Sequence, residues 1–200
     1  MKIKFEKISR LPVFEVEGAK CFLDTGLPFR EATLHPVSQK FIGIPGIKAV
    51  GVAFLKRYTK IDFKNCEIET ADTPIQLTGA KSATITIAPS GWMVEMTVGN
   101  KRGLCYIDTG AAYSYVPGQW EGHESAGEVG DCGFSGRPWK TDAHKVPCSF
   151  EGIEFTALCG KCSDNREMVP SNGVIGTDFF ERFTIVVDRV AGYMQYIETA

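Results

Sequence analysis

The sequence predicts an all-β protein of two similar lobes with only short helices, and three observations carry that prediction. The tripeptide Asp24-Thr25-Gly26 returns as Asp108-Thr109-Gly110. Each copy follows an apolar run, Cys21-Phe22-Leu23 or Cys105-Tyr106-Ile107, that reads as a buried strand ending at a turn. Downstream, residues 44–61 and 169–186 superpose without a gap, with Gly51 on Gly176, Phe54 on Phe179, Arg57 on Arg182 and Thr59 on Thr184. One such tripeptide would be an ordinary turn in which Gly supplies a positive φ. Two in matching contexts, followed by matching segments, make the chain an internal duplication.

In chain order, residues 1–8 alternate charged and apolar positions, and residues 1–23 read as strands joined by turns, with Gly18 marking a hairpin and Val13, Val16 and Phe22 supplying core. Pro28 keeps Leu27 out of the helical region, so the chain leaves the first tripeptide extended. A short helix is expected from Pro36, where a missing N–H costs nothing. Residues 52–60 are expected to form a second helix, with Ile61-Asp62-Phe63 returning as a strand. Residues 69–83 are small and polar with one Pro and one Gly, which suits a connection between lobes. The expected division is residues 1–82 and 83–200. Val94–Val98 is expected to pair with Leu104–Ile107 through a turn at residues 99–103, repeating the hairpin-then-Asp order of the first lobe.

The lobes differ in one respect. From the Asp to the matching Gly is 27 residues in the first lobe (Asp24 to Gly51) and 68 in the second (Asp108 to Gly176), an excess of 41. The excess lies at about residues 117–168 and holds the glycine- and aromatic-bearing turn Gly133-Phe134-Ser135-Gly136-Arg137-Pro138-Trp139-Lys140.

Two hundred residues with 44% hydrophobic content suffice for one large domain or two small packed lobes. A net charge of −2, with acids and bases interspersed, offers no basic stripe for nucleic acid and no polybasic patch for a membrane surface. No stretch approaches the roughly 18 apolar residues of a membrane span. The opening residues lack the apolar core of a secretory signal, and seven cysteines, an odd number without an evident framework, favour a reducing compartment. The expectation is a cytoplasmic protein, provided no leader precedes Met1.

An Asp-Thr-Gly at the end of an apolar strand, later followed by two apolar residues and a Gly opening a short helix, resembles the aspartic protease superfamily, pepsin-like and retropepsin-like. Val174-Ile175-Gly176-Thr177-Asp178-Phe179-Phe180-Glu181-Arg182-Phe183 is similar to the retropepsin-like domains in particular, with Ala49-Val50-Gly51 its weaker counterpart. The resemblance spans both halves and implies an acid protease fold of two pseudo-twofold-related lobes in one chain, acting as a monomer on a peptide or protein substrate. It implies Asp24 and Asp108 as the catalytic pair. Thr25 and Thr109 would hydrogen-bond across the lobe interface, and Gly26 and Gly110 would let backbone N–H groups approach the carboxylates. A flap is implied for the insertion alone, with Ser135, Gly136 and Trp139 as flap candidates, because the first lobe is too compact for one.

The chemistry follows from the pair. Peptide hydrolysis needs a base to deprotonate water and an acid to protonate the carbonyl oxygen, and two carboxylates sharing one proton supply both. Like charges so close cannot both ionise readily, so one carboxyl holds its proton over a wide pH range. In the superfamily a hydroxyl after the Gly often stabilises the ionised form; here those positions are Leu27 and Ala111, which predicts activity reaching toward neutral pH.

Other signals rank lower. Cys159-Gly160-Lys161-Cys162, with Cys132 and Cys148 upstream, offers four thiols for zinc, but Cys132 and Cys148 form no second close pair, so buried free thiols are the stronger reading. No metal or cofactor is expected. His35, His123 and His144 stand at no ligand or triad spacing. Two rivals to a single-chain enzyme are a non-catalytic peptide-binding module on the same fold, and a homodimer in which Asp108 from two chains forms the site.

Overall fold

The structure is a computed structural model that describes residues 1–88, 91–117, 122–133, 136–161 and 172–199. Ser135, Cys162 and Val169-Pro170-Ser171 of the repeat lie outside the described residues.

The fold is mostly β and is organised in three sheets. In the first lobe, strand Ala19–Leu23 runs parallel to Lys48–Val50, which pairs antiparallel with Glu31–Thr33. In the second, Lys101–Ile107 runs parallel to Val174–Ile175, which pairs antiparallel with Ser114–Val116. The same three-strand arrangement therefore delivers each Asp-Thr-Gly, and the pseudo-twofold expected of the fold class is present in the topology. The apolar runs are continuous because these strands are covered on both faces: Cys21, Phe22, Leu23, Cys105, Tyr106 and Ile107 are all buried.

A third, six-stranded sheet joins the lobes. Its central pair, Tyr58–Asp62 against Phe183–Asp188, brings equivalent segments of the two repeats side by side. Phe183–Asp188 is buried throughout, and Phe150, Phe179, Phe183 and Tyr196 stack around it with ring centroids 4.9–6.0 Å apart. This core runs from Phe5 and Phe63 in the first lobe to Phe180 in the second, where the Phe63 and Phe180 rings stack at 5.5 Å. A smaller cluster of Leu11, Val13, Phe22, Leu27, Leu34, Ile47 and Ala49 lies in the first lobe.

Several local expectations hold. Strands Leu11–Val16 and Ala19–Leu23 meet through Glu17 and Gly18, both at positive φ, the two-residue turn whose twist matches a hairpin. The short helix runs Pro36–Ile42 with Pro at its start, and His35 Nδ1 accepts the Val37 N–H.

Others are corrected. Residues 52–60 do not form a helix: Val52–Phe54 makes one 3₁₀ turn, Leu55 is already extended, and Tyr58–Asp62 is strand. Pairing with Phe183–Asp188 and with Glu67–Ala71 outweighs helical propensity there. The equivalent segment Thr177–Arg182 does coil into an α-helix, aided by Asp178, which anchors its first turn; the matching residue in the first lobe is Ala53. The connection is also shorter than expected, since Glu67–Ala71 and Lys81–Thr84 are both strands of the shared sheet. The turn expected at residues 99–103 tightens to Gly99-Asn100, because strand pairing extends to Val98 opposite Lys101.

Within the insertion, Glu124–Cys132 and Pro138–Phe150 form a long antiparallel hairpin, irregular at Ser125 and Gly127. Its tip reaches the first lobe. The Ser38 hydroxyl donates to the Gly133 carbonyl at 2.7 Å. Gly136, at φ +71°, lies so close to His35 that a Cβ there would stand 2.0 Å from the imidazole. Only a glycine meets both demands.

Candidate active site

Each Asp sits one residue beyond a buried strand, and its own N–H is tied to the neighbouring parallel strand. The Asp24 N–H donates to Val50 O and the Asp108 N–H to Ile175 O, both at 2.9 Å. The loops then turn identically: the Leu27 N–H reaches Asp24 O at 3.2 Å and the Ala111 N–H reaches Asp108 O at 3.3 Å.

The threonines cross between lobes. The Thr25 hydroxyl donates to Ile107 O at 2.9 Å, and the Thr109 hydroxyl donates to Leu23 O at 2.8 Å. Both side chains are fully buried, where a lost partner is costly. These bonds bring Asp24 and Asp108, 84 positions apart in sequence, side by side against the same two glycines.

The glycines make room for that contact. A Cβ on Gly26 would lie 2.6 Å from Asp108 Oδ2 and 3.2 Å from Asp24 Oδ1, and one on Gly110 would lie 2.4 Å from Asp24 Cγ. Their N–H groups converge on one oxygen, Asp108 Oδ1, at 3.2 Å from Gly26 and 2.8 Å from Gly110.

Burial pushes the proton affinity of both carboxyls up, Asp24 well above the ordinary carboxylate range. The negative charge of Asp108 raises Asp24 further. The two glycine N–H groups hold Asp108 down. The pair therefore shares a proton, and the two N–H donors on Asp108 Oδ1 favour the charge on Asp108.

Above the pair is a cavity of about 430 Å³. Leu11, Phe22, Leu34, Phe41 and Ile42 form its first-lobe wall, and Ala111, Ala112 and Val174 face them from the second. The hairpin closes the top with Asp131, Cys132, Gly133 and Trp139. Of the flap candidates, Trp139 lines the cavity and packs edge-on against Tyr115 at 5.9 Å, while Gly136 rests on His35 outside the cavity lining.

Four residues at the site were not singled out from the sequence. Tyr115 donates its hydroxyl to Asp131, which joins the second Asp loop to the hairpin. The Ser114 hydroxyl accepts the Gly176 N–H at 3.0 Å and donates to Asp178 Oδ2 at 3.3 Å. Asp178 also receives the Leu158 N–H and, from the first lobe, the Arg10 guanidinium. In the first lobe the Gly51 N–H goes to a backbone oxygen, that of Arg30, six residues past Asp24 as Ser114 is six past Asp108. The two loops thus share a backbone course and differ in side-chain bracing.

Of the thiols considered for zinc, the three among the described residues fall in two places. Cys148 and Cys159 are buried in the second-lobe core, and burial pushes the Cys148 thiol up to about 12. Cys132 is on the hairpin beside Ser38, its Sγ 3.5 Å from the hydroxyl. Among the described residues no group of three or more His, Cys, Asp or Glu side chains is arranged to hold a metal.

No family model matches the chain, and no curated protein does. Among solved structures it is similar to the aspartic proteinase from Irpex lacteus, at 12% identity and a TM-score of 0.43, over 72% of this chain and 56% of that one. It is also similar to Basic 7S globulin from soybean, at 12% identity and a TM-score of 0.41, over 74% of this chain and 52% of that one. The chain spans little more than half the length of either, and neither likeness bears on activity.

Proposed function

We infer that the protein is an aspartic endopeptidase in which Asp24 and Asp108 activate one water molecule against a peptide bond. The observation that carries this reading is the meeting of the two buried carboxyls against Gly26 and Gly110 at the floor of a cavity, with both glycine N–H groups on Asp108 Oδ1. Asp108 is the base that takes the water proton. Asp24 is the acid that gives its proton to the substrate carbonyl oxygen; as the C–N bond of the tetrahedral diol then breaks, Asp108 passes the proton it took from water to the departing amine and a diol hydroxyl returns its proton to Asp24.

Thr25 and Thr109 hold the loops in register, and Gly26 and Gly110 supply both the space and the N–H donors. An extended peptide lies in the cleft between a lobe of about residues 1–82 and one of about 83–200, under the hairpin of the insertion as a single flap. Both carboxyls come from one chain, so a monomer suffices. The reading places the enzyme in the cytoplasm, acting on peptides or proteins without a cofactor.

Incubation with a mixed peptide library, followed by mass spectrometry of the products, tests the reading. Internal cleavage that disappears in Asp24→Asn and in Asp108→Asn separately is the expected result. Peptide binding without cleavage by the unaltered protein would replace the enzyme with a peptide-binding module.

A further inference from the structure

The cavity over the Asp pair has a third carboxylate that the hydrolytic mechanism does not use. Asp131 is the penultimate residue of the hairpin strand Glu124–Cys132 and lines the same cavity as Asp24 and Asp108. It is held in place rather than free to swing into solvent. The Cys132 N–H donates to its Oδ1 at 2.6 Å, and the Tyr115 hydroxyl donates to its Oδ2. Tyr115 in turn lies in the buried strand Ser114–Val116 and packs on Trp139, the residue opposite Asp131 in the hairpin. A carboxylate offers about four acceptor sites, so two donors leave acceptor capacity facing the cavity.

That charge has no cation to meet it from the cavity wall. Among the described residues lining the cavity there is no Lys, Arg or His. It shares the cavity with Asp108, whose ionisation it opposes. The remaining wall is largely aliphatic and aromatic. A ligand group that satisfies both features has an apolar stem and a positive end, which describes a lysine or arginine side chain. Such a group lays its methylenes along the wall, gives Asp131 a charge-assisted hydrogen bond, and relieves the repulsion between Asp131 and Asp108.

We propose that Asp131 is a specificity-determining residue that selects peptides carrying a lysine or arginine among apolar residues. The proposal rests on the peptidase reading for the nature of the ligand, and its test does not depend on turnover. Asp24→Asn copies the protonated acid in shape and charge, so it keeps the cleft's electrostatics while removing the acid.

With this variant, the affinities of apolar octapeptides with one lysine moved along the sequence are compared with those of their norleucine counterparts. At one position lysine is expected to improve affinity at least about tenfold over norleucine, the size of one charge-assisted hydrogen bond. Adding Asp131→Asn is expected to bring the two to parity. The proposal is overturned if lysine gains nothing at any position, or if its advantage survives without Asp131. Should that double variant fail to fold, Asp131→Ser in the same background takes its place, with the same two outcomes. Failure of the unaltered protein to cut any peptide withdraws the hydrolytic assignment and leaves the lysine preference measurable. Cleavage without that preference overturns the role of Asp131 alone.

Discussion

The backbone N–H of Thr25 donates to the hydroxyl of Thr109 at 3.1 Å, and the N–H of Thr109 donates to the hydroxyl of Thr25 at 3.0 Å. With the two hydroxyl-to-carbonyl bonds to Ile107 and Leu23, this makes four crossings between loops that lie 84 positions apart. Thr109→Val keeps the shape and deletes the hydroxyl, stranding the Thr25 N–H and Leu23 O in a buried site. The expected cost is about 3 kcal/mol in chemical denaturation, with Thr109→Ser recovering most of it.

Stability should respond to the Asp pair in the direction opposite to activity. Asp24 binds its proton more tightly in the folded protein than in the unfolded chain, where a carboxyl titrates near pH 3.9. Its contribution is therefore fully present below that pH and is lost as pH rises through the folded value. Asp24→Asn is expected to raise Tm at pH 7 by several degrees and to leave it little changed at pH 4. Thermal melts at the two pH values check this.

The duplicated loops were legible because both must present the same backbone to each other, so the same residues recur at the same spacing. The hairpin of the insertion was legible from its length and its turn residues. The strand at Tyr58–Asp62 was not, because its pairing with Phe183–Asp188 joins residues 124 to 130 positions apart and overrides a local helical pattern. Tyr115, Asp131, Ser114 and Asp178 escaped notice for a related reason. Only Asp178 lies in a quoted motif, and each acquires its role through a partner that only the folded chain brings near.

The pH–rate profile should report the absence of a hydroxyl donor after each glycine. Burial raises both carboxyls, and Leu27 and Ala111 offer no side-chain hydrogen bond to the ionised form. An optimum well above that of acid proteases, toward neutral pH, is expected, and a maximum near pH 3 would contradict it. Ala111→Ser adds a donor beside Asp108 and is expected to move the acid limb down by about one unit while leaving the alkaline limb nearly in place.

The shared sheet carries its own pH dependence. Arg57 grips Asp188 through two bonds, Nε to Oδ1 at 3.0 Å and Nη2 to Oδ2 at 2.9 Å, linking the two lobes. The guanidinium, aided by the Val190 and Ala191 N–H groups, holds the Asp188 carboxyl down at about 2. A depressed carboxyl contributes stability above its unfolded value and loses it as pH falls toward 2. Asp188→Asn is expected to lower Tm by a few degrees at pH 7, and the gap should shrink steadily between pH 4 and pH 2. High salt should narrow it as well, since Arg57 is partly exposed.

The most direct test of two carboxyls acting on one water within a single chain is the initial rate of hydrolysis of one library-selected peptide. It is measured for the unaltered protein, Asp24→Asn, Asp108→Asn and an equal mixture of the two variants. Each variant should be slower by about a thousandfold or more, as expected for loss of a general acid or base, and the mixture should recover nothing. A variant that keeps the full rate, or a mixture that regains it by pairing two chains, would contradict the account.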